Sequence, residues 1–253
     1  MREEKVLFQN NKRQMLVGIL HVPAGASEKN KVPGIAIVHG FGGSKEDFNI
    51  IDWCNHLALH GVAALRFDLS GSGESQGNFE DSLFSQWVND AKIALFQLES
   101  FKEIDKTRLG IAGFSLGGSV ALIAGAEDKR VKAVAGLSPA LEFNPLDVLV
   151  KRRLVRARTE NRIEMQGFLL KKQFFEDRMD YTPMQAVEKL GKPLLLLVGA
   201  NDVIVEPETV KKAFERAKQP KQLELIQGAD HLYLLHNKEV AQKLLEFMSR
   251  YLK

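Results

Sequence analysis

Over most of the chain, short apolar runs alternate with longer segments whose apolar residues recur every three or four positions. Residues 14–23 (QMLVGILHVP), 32–40, 62–69, 107–114, 131–138, 192–200 and 221–228 are compact apolar runs. Most are closed by glycine or a polar turn residue, and they read as strands. KVLFQ, just before the first of them, is close enough to pair with it as an antiparallel hairpin at one edge. Between the runs, residues 49–60, 82–101, 116–126, 207–217 and 238–252 carry helical spacing, as in Val88, Ala91, Leu95 and Leu98. Strand and helix in turn predict an α/β chain, with a mostly parallel eight-stranded sheet covered by helices on both faces.

The alternation stops from about residue 141 to 182. Asn144 followed by Pro145 is a helix start, and Leu146, Leu149, Val150 and Leu154 fall on one face of the helix it would open. The first half of this stretch therefore reads as helical, and the basic run Lys151, Arg152, Arg153, Arg156 and Arg158 reads as its solvated face. EMQGFLLKKQFFED fits neither period and stays open between a second helix and a short ribbon. An insertion of this size in a compact sheet predicts a lid or binding element within one domain spanning 1–253. Met165, Phe168, Leu169, Leu170, Phe174 and Phe175 would either line a pocket or anchor the insertion.

Composition narrows the class. Thirty-five basic side chains against thirty-two acidic ones leave a net charge of +3, too small to point to nucleic acid. One cysteine, Cys54, excludes an intrachain disulfide. The N-terminus lacks the apolar stretch of a signal peptide, and runs such as PLLLLVGA are too short to span a bilayer. These features predict a cytoplasmic protein without stable membrane insertion. They do not set the oligomeric state, and a homodimer is compatible with them.

The chemistry centres on GIAGFSLGGSV, residues 110–120. A strand runs into Ser115 and a helix leaves it, with Gly113 and Gly117 on either side, the pattern of a serine held on a tight strand-to-helix turn. Twenty glycines and twelve serines in 253 residues give about 0.07 chance matches to G-x-S-x-G. A serine hydroxyl needs a base to become a nucleophile, and histidine suits that task near neutral pH. Of six histidines, His21, His56 and His60 read as packing or surface residues, His39 as shaping the loop it opens, with a part in binding as the alternative, and His236 as the start of the last helix. His231, just past the last strand, is the expected base. The strand–serine–helix pattern resembles that of α/β-hydrolases, and the resemblance implies an acid between serine and histidine in the chain. Asp202, at the end of a strand in GANDVIVEP, fits, whereas Asp230 is a neighbour of the histidine and Asp68 precedes the serine and reads as ordering its own loop. Oxyanion donors are expected from the N–H groups of Leu116, at the helix start, and of Phe41 in HGFGGS. Neither glycine loop completes a nucleotide-binding pattern.

HGFGGSKEDF, RFDLSGSGESQGNFED, GFSLGG, GANDVIVEP and GADH come in the order seen in α/β-hydrolase-fold serine esterases, and the second resembles bacterial cinnamoyl (feruloyl) esterases. The resemblance covers nearly the whole chain. It implies an α/β-hydrolase fold with a lid insertion, Ser115, Asp202 and His231 as catalytic residues, and Phe41 and Leu116 as oxyanion donors. It also implies a small-molecule ester substrate and no cofactor or metal. The expected activity is a serine carboxylesterase working through an acyl-enzyme on aromatic or short-chain esters. A monoacylglycerol lipase, thioesterase or aminopeptidase on the same scaffold is the alternative, since fold and triad do not choose the leaving group. A non-enzymatic ligand-binding protein is a further reading, disfavoured because all three catalytic residue types are present in order.

Overall fold

A computed structural model of the protein describes residues 1–142, 155–159 (backbone only) and 161–253. Its first half runs β1 (Arg2–Gln9), β2 (Met15–Val22), β3 (Val32–Val38), α1 (Phe48–Leu59), β4 (Ala63–Phe67), a 3-10 turn (Phe79–Asp81), α2 (Phe84–Ser100), β5 (Ile104–Phe114), α3 (Leu116–Glu127) and β6 (Val131–Leu137). The second half adds β7 (Val155–Thr159), β8 (Arg162–Met165), β9 (Phe168–Lys171), α4 (Lys172–Met179), α5 (Pro183–Lys189), β10 (Leu194–Gly199), α6 (Pro207–Arg216), β11 (Lys221–Ile226) and α7 (Asn237–Tyr251).

Eight strands form one sheet in the order β1-β2-β4-β3-β5-β6-β10-β11, in which only β2 runs against the others. This is the expected α/β-hydrolase architecture, including the antiparallel hairpin at the edge. The central strands are covered on both sides, which is why they read as unbroken apolar runs rather than as alternation. Ile35 and Ile37 pack with Trp53 and Leu57 of α1 and Leu244 and Phe247 of α7. Ala36 and Val38, pointing the other way, pack with Trp87 and Leu95 of α2 and Val120 of α3. Cys54 is buried against the α1 face, where burial pushes its thiol far above the ordinary range and leaves it a packing group. Among the described residues no helix is long and apolar enough to cross a membrane.

The insertion resolves the open reading of EMQGFLLKKQFFED into both alternatives in succession. β8 and β9 form a hairpin, and α4 comes directly after it. The two loop residues, Gln166 and Gly167, have φ of 51° and 84°, as a two-residue primed turn requires. The helix start at Asn144–Pro145 and the apolar face to Leu154 lie outside the described residues. Arg156 and Arg158, expected on that helix, lie instead on β7, which pairs antiparallel with β8. The strand is favoured by β-branched Val155 and Thr159 at its ends and by an available partner edge. Leu170, Phe174 and Phe175 are buried in the main core, so the insertion is anchored by its own apolar residues.

Candidate active site

Because β3, β5, β6, β10 and β11 are parallel, the loops at their C-terminal ends gather at one edge of the sheet, the usual place for a site in such a fold. β5 ends at Phe114 and α3 begins at Leu116, leaving Ser115 alone on the turn with φ 53° and ψ −121°. Such a backbone costs about 1–3 kcal/mol and persists only where the surroundings enforce it. Here the Ser115 N–H donates to Leu137 O at 2.9 Å, and its carbonyl accepts from the N–H groups of Gly118 at 2.9 Å and Ala140 at 3.0 Å. A Cβ on Gly117 would sit 2.1 Å from the carbonyl oxygen of His39, and one on Gly113 would sit 2.1 Å from that of Gly117. The glycines of the motif therefore allow the turn to close against the 39–41 loop.

His231, after β11, places Nε2 3.0 Å from Ser115 Oγ, and its Nδ1–H donates to Asp202 Oδ2 at 2.7 Å. The imidazole lies against Phe114, ring centroids 5.0 Å apart. Asp202, after β10, is buried, and both of its carboxylate oxygens accept hydrogen bonds. Oδ1 takes the backbone N–H groups of Ile204 and Val205, both at 2.8 Å, and Oδ2 takes the Ser138 hydroxyl at 2.7 Å beside the imidazole. Burial acts to raise this carboxyl's pKa, but the hydrogen bond and charge of His231, with Ser138 and Val205, outweigh it and hold the group below its ordinary range. Asp230 is exposed, and the imidazole Nδ1 points to Asp202 instead.

Leu116 is the first residue of α3, so its N–H has no acceptor within the helix. Neither it nor the N–H of Phe41 donates to another described residue. The loop that carries Phe41 is held in place from behind. His39 Nδ1–H donates to Gly40 O at 2.8 Å, and Nε2 accepts the N–H of Leu69 at 3.1 Å. Burial keeps this imidazole below its ordinary pKa and hence neutral, as an accepting Nε2 demands. Asp68 orders the same region, accepting from the N–H of Lys45 (2.7 Å), Lys45 Nζ (2.8 Å) and the N–H of Glu74 (2.9 Å). Lys45 and Asp68 are both buried, so removing one leaves the other charge with little water. Asp68→Ala is expected to lower stability by roughly 3–5 kcal/mol, read from urea unfolding. Lys45 Nζ also meets Glu74 at 2.7 Å and Glu46 at 3.5 Å, and an unchanged midpoint would mean that these two exposed carboxylates suffice for it. The remaining histidines in the first half of the chain lie apart from the site: His21 is buried against Arg66, and half-buried His56 of α1 lies against exposed His60, which follows the end of that helix.

Aromatic residues crowd beside the 40–43 loop. Phe41 packs edge-on to Phe79 at 5.3 Å and to Phe168 of β9 at 5.7 Å. A Cβ on Gly42 would sit 2.3 Å from the Phe168 ring, so the insertion lies directly on this loop. Sequence reasoning missed Phe79, Ser138 and Tyr233, whose hydroxyl is 2.6 Å from Ser138 Oγ. Among the described residues no group of three His, Cys, Asp or Glu side chains is arranged to hold a metal ion.

A family model described as serine aminopeptidase, S33 matches residues 30–182. Polyketide transferase claH of Penicillium crustosum is 25% identical over 282 residues, covering 92% of this chain and 91% of its own. The mitochondrial palmitoyl-protein thioesterase ABHD10 of Homo sapiens is 28% identical over 202 residues, 74% of this chain and 63% of its own. Est1E of Butyrivibrio proteoclasticus, solved with ferulic acid bound, aligns with a TM-score of 0.82 at 26% identity, covering 97% of this chain and 98% of that one. The esterase domain of a Rhodothermus marinus protein aligns at 0.78 and 28% identity over the full length of both.

Proposed function

The chain belongs to the serine aminopeptidase S33 family of α/β-hydrolases, and on that premise we propose that it is a serine carboxylesterase acting on small aromatic or short-chain esters. The observation that carries this reading is the contact of 3.0 Å between His231 Nε2 and the hydroxyl of a serine held at φ 53°, with Nδ1 of the same ring on Asp202. Ser115 Oγ attacks the ester carbonyl carbon while its proton passes to His231 Nε2. The N–H groups of Phe41 and Leu116 receive the oxyanion. The tetrahedral adduct collapses, the carbon–oxygen bond to the alcohol breaks, and the alcohol leaves with the proton from His231. Water then attacks the acyl-enzyme, giving up a proton to His231, and the carboxylic acid departs as the proton returns to Ser115. Asp202 keeps the tautomer that leaves Nε2 free to accept and stabilises the imidazolium that forms.

Residues 141–182 act as a lid in this reading. Phe168 is 38% exposed while Phe174 is fully buried, so the two do different work. Phe174 anchors the insertion, and Phe168, with Phe41 and Phe79, offers ring faces and edges to an aromatic acyl group. The test is a panel of p-nitrophenyl esters of rising acyl length with methyl ferulate, beside an acyl-CoA thioester and an aminoacyl p-nitroanilide. Turnover of esters is expected to dominate. Turnover confined to the thioester or the anilide would overturn the ester assignment. Phe168→Ala is expected to lower kcat/KM for methyl ferulate about three- to tenfold relative to p-nitrophenyl acetate, the worth of one aromatic contact. An unchanged ratio would reduce the hairpin to a structural appendage.

A further inference from the structure

Ser138 and Tyr233 take no part in the acyl-transfer steps, yet both are fully buried and both hold left-handed backbone, with φ of 43° and 57°. Residues with a side chain adopt that region at a cost, and they persist there when packing and hydrogen bonds impose it. Ser138 comes directly after β6, its N–H donating to Leu197 O at 2.7 Å, and its hydroxyl donates to Asp202 Oδ2 at 2.7 Å. That uses the only proton on Oγ, so the contact of 2.6 Å with Tyr233 is the phenol donating to the serine oxygen. The Tyr233 ring lies near Trp53 and Phe114, at 6.4 and 6.2 Å, and burial drives its hydroxyl far above the ordinary range, so it remains a donor.

The hydroxyl of Ser138 is thus a junction of three loops: its own after β6, the Asp202 loop after β10, and the loop after β11 that carries His231 and, two residues on, Tyr233. We infer that Ser138 and Tyr233 are positioning residues, a two-donor relay that fixes the Asp202 carboxylate toward His231 and draws charge from the oxygen it shares with the imidazole. The inference rests on the roles proposed for Asp202 and His231. The titratable groups facing the carboxylate are His231 and, through Ser138, Tyr233, with the charge of Asp230 reaching the phenol. Removing the relay returns negative charge to Oδ2, and a more basic carboxylate favours the imidazolium. Protonated His231 cannot accept from Ser115, so the acid limb of the rate profile moves to higher pH.

Ser138→Gly, Tyr233→Phe and the double variant test this with p-nitrophenyl acetate as the probe. Glycine accepts a φ of 43° and phenylalanine keeps the ring, so each removes a hydroxyl, and Tyr233→Phe also gives up the phenol's hydrogen bond with the Gly199 backbone. Each single variant is expected to lose kcat about tenfold, the worth of one hydrogen bond, with KM within about twofold. The acid limb of kcat/KM is expected to move up by about half a pH unit. The double variant is expected to match Ser138→Gly, because the hydrogen-bond path from Tyr233 to Asp202 runs through the serine oxygen. Wild-type kcat and acid limb in both single variants, or losses that multiply in the double, would overturn the relay. Ser115→Ala assayed alongside separates the two levels. If it is inactive while the relay variants are unchanged, the relay fails alone; if it keeps the wild-type rate, the site assignment fails and takes the relay with it.

Discussion

Ser115→Ala is expected to abolish ester turnover, with kcat falling on the order of 10⁴- to 10⁶-fold and only the residue due to binding and the oxyanion donors remaining. The size of the loss comes from geometry. Ser115 Oγ is the atom 3.0 Å from His231 Nε2, on a turn whose backbone is bound on both sides. Two other nucleophilic groups are otherwise engaged: the one cysteine, Cys54 of α1, is buried, and Ser138 already gives its proton to Asp202. Alanine at this turn inherits the same φ of 53°, so the substitution adds no new strain and thermal unfolding should be little changed. Steady-state kinetics on p-nitrophenyl acetate, with a melting curve beside them, decide the point. A loss of less than about tenfold in a folded variant would show that the serine does not carry the chemistry.

The second large effect separates two candidates for the acid. Asp202→Asn is expected to lower kcat about 10⁴-fold, because an amide cannot hold the imidazole in the accepting tautomer or stabilise its cation. Asp230→Asn, at an exposed position, is expected to stay within about twofold of the wild type. Asp202 is held below the ordinary carboxylate range, chiefly by the hydrogen bond and charge of His231 working against burial, and stays ionised as the pH falls from neutral. Kinetics of the two variants, each with circular dichroism to confirm folding, measure this. A silent Asp202→Asn beside a damaged Asp230→Asn would reverse the assignment.

How much of this was legible in the sequence depended on how local each cause is. The sheet could be read because each central strand is a self-contained apolar run, and the turn at Ser115 because Gly113 and Gly117 stand within two residues of it. Asp202 and His231 could be found because each ends a strand in a fixed order along the chain. Ser138 and Tyr233 carried no such mark. Ser138 closes a strand run in the ordinary way, and Tyr233 sits in HLYL as one more apolar residue. Their connection spans 95 residues and exists only once β6 and β11 have ended at the same edge. The hairpin of the insertion was hidden for a different reason. Residues 166–167 form a two-residue turn, but glutamine is not one of the asparagine, aspartate or glycine residues that mark the first position of such a turn, and the apolar residues of LLKKQFF beside it blend the strand into the next helix.

The measurement that bears most directly on Ser115 as the nucleophile is peptide mapping after treatment with a fluorophosphonate, which forms a stable adduct with a serine activated by its base. One phosphonylated residue is expected in the wild type, Ser115, with no labelling of Ser115→Ala and slow labelling of Asp202→Asn. An adduct at another serine, or labelling of Ser115→Ala as fast as the wild type, would contradict the assignment of Ser115.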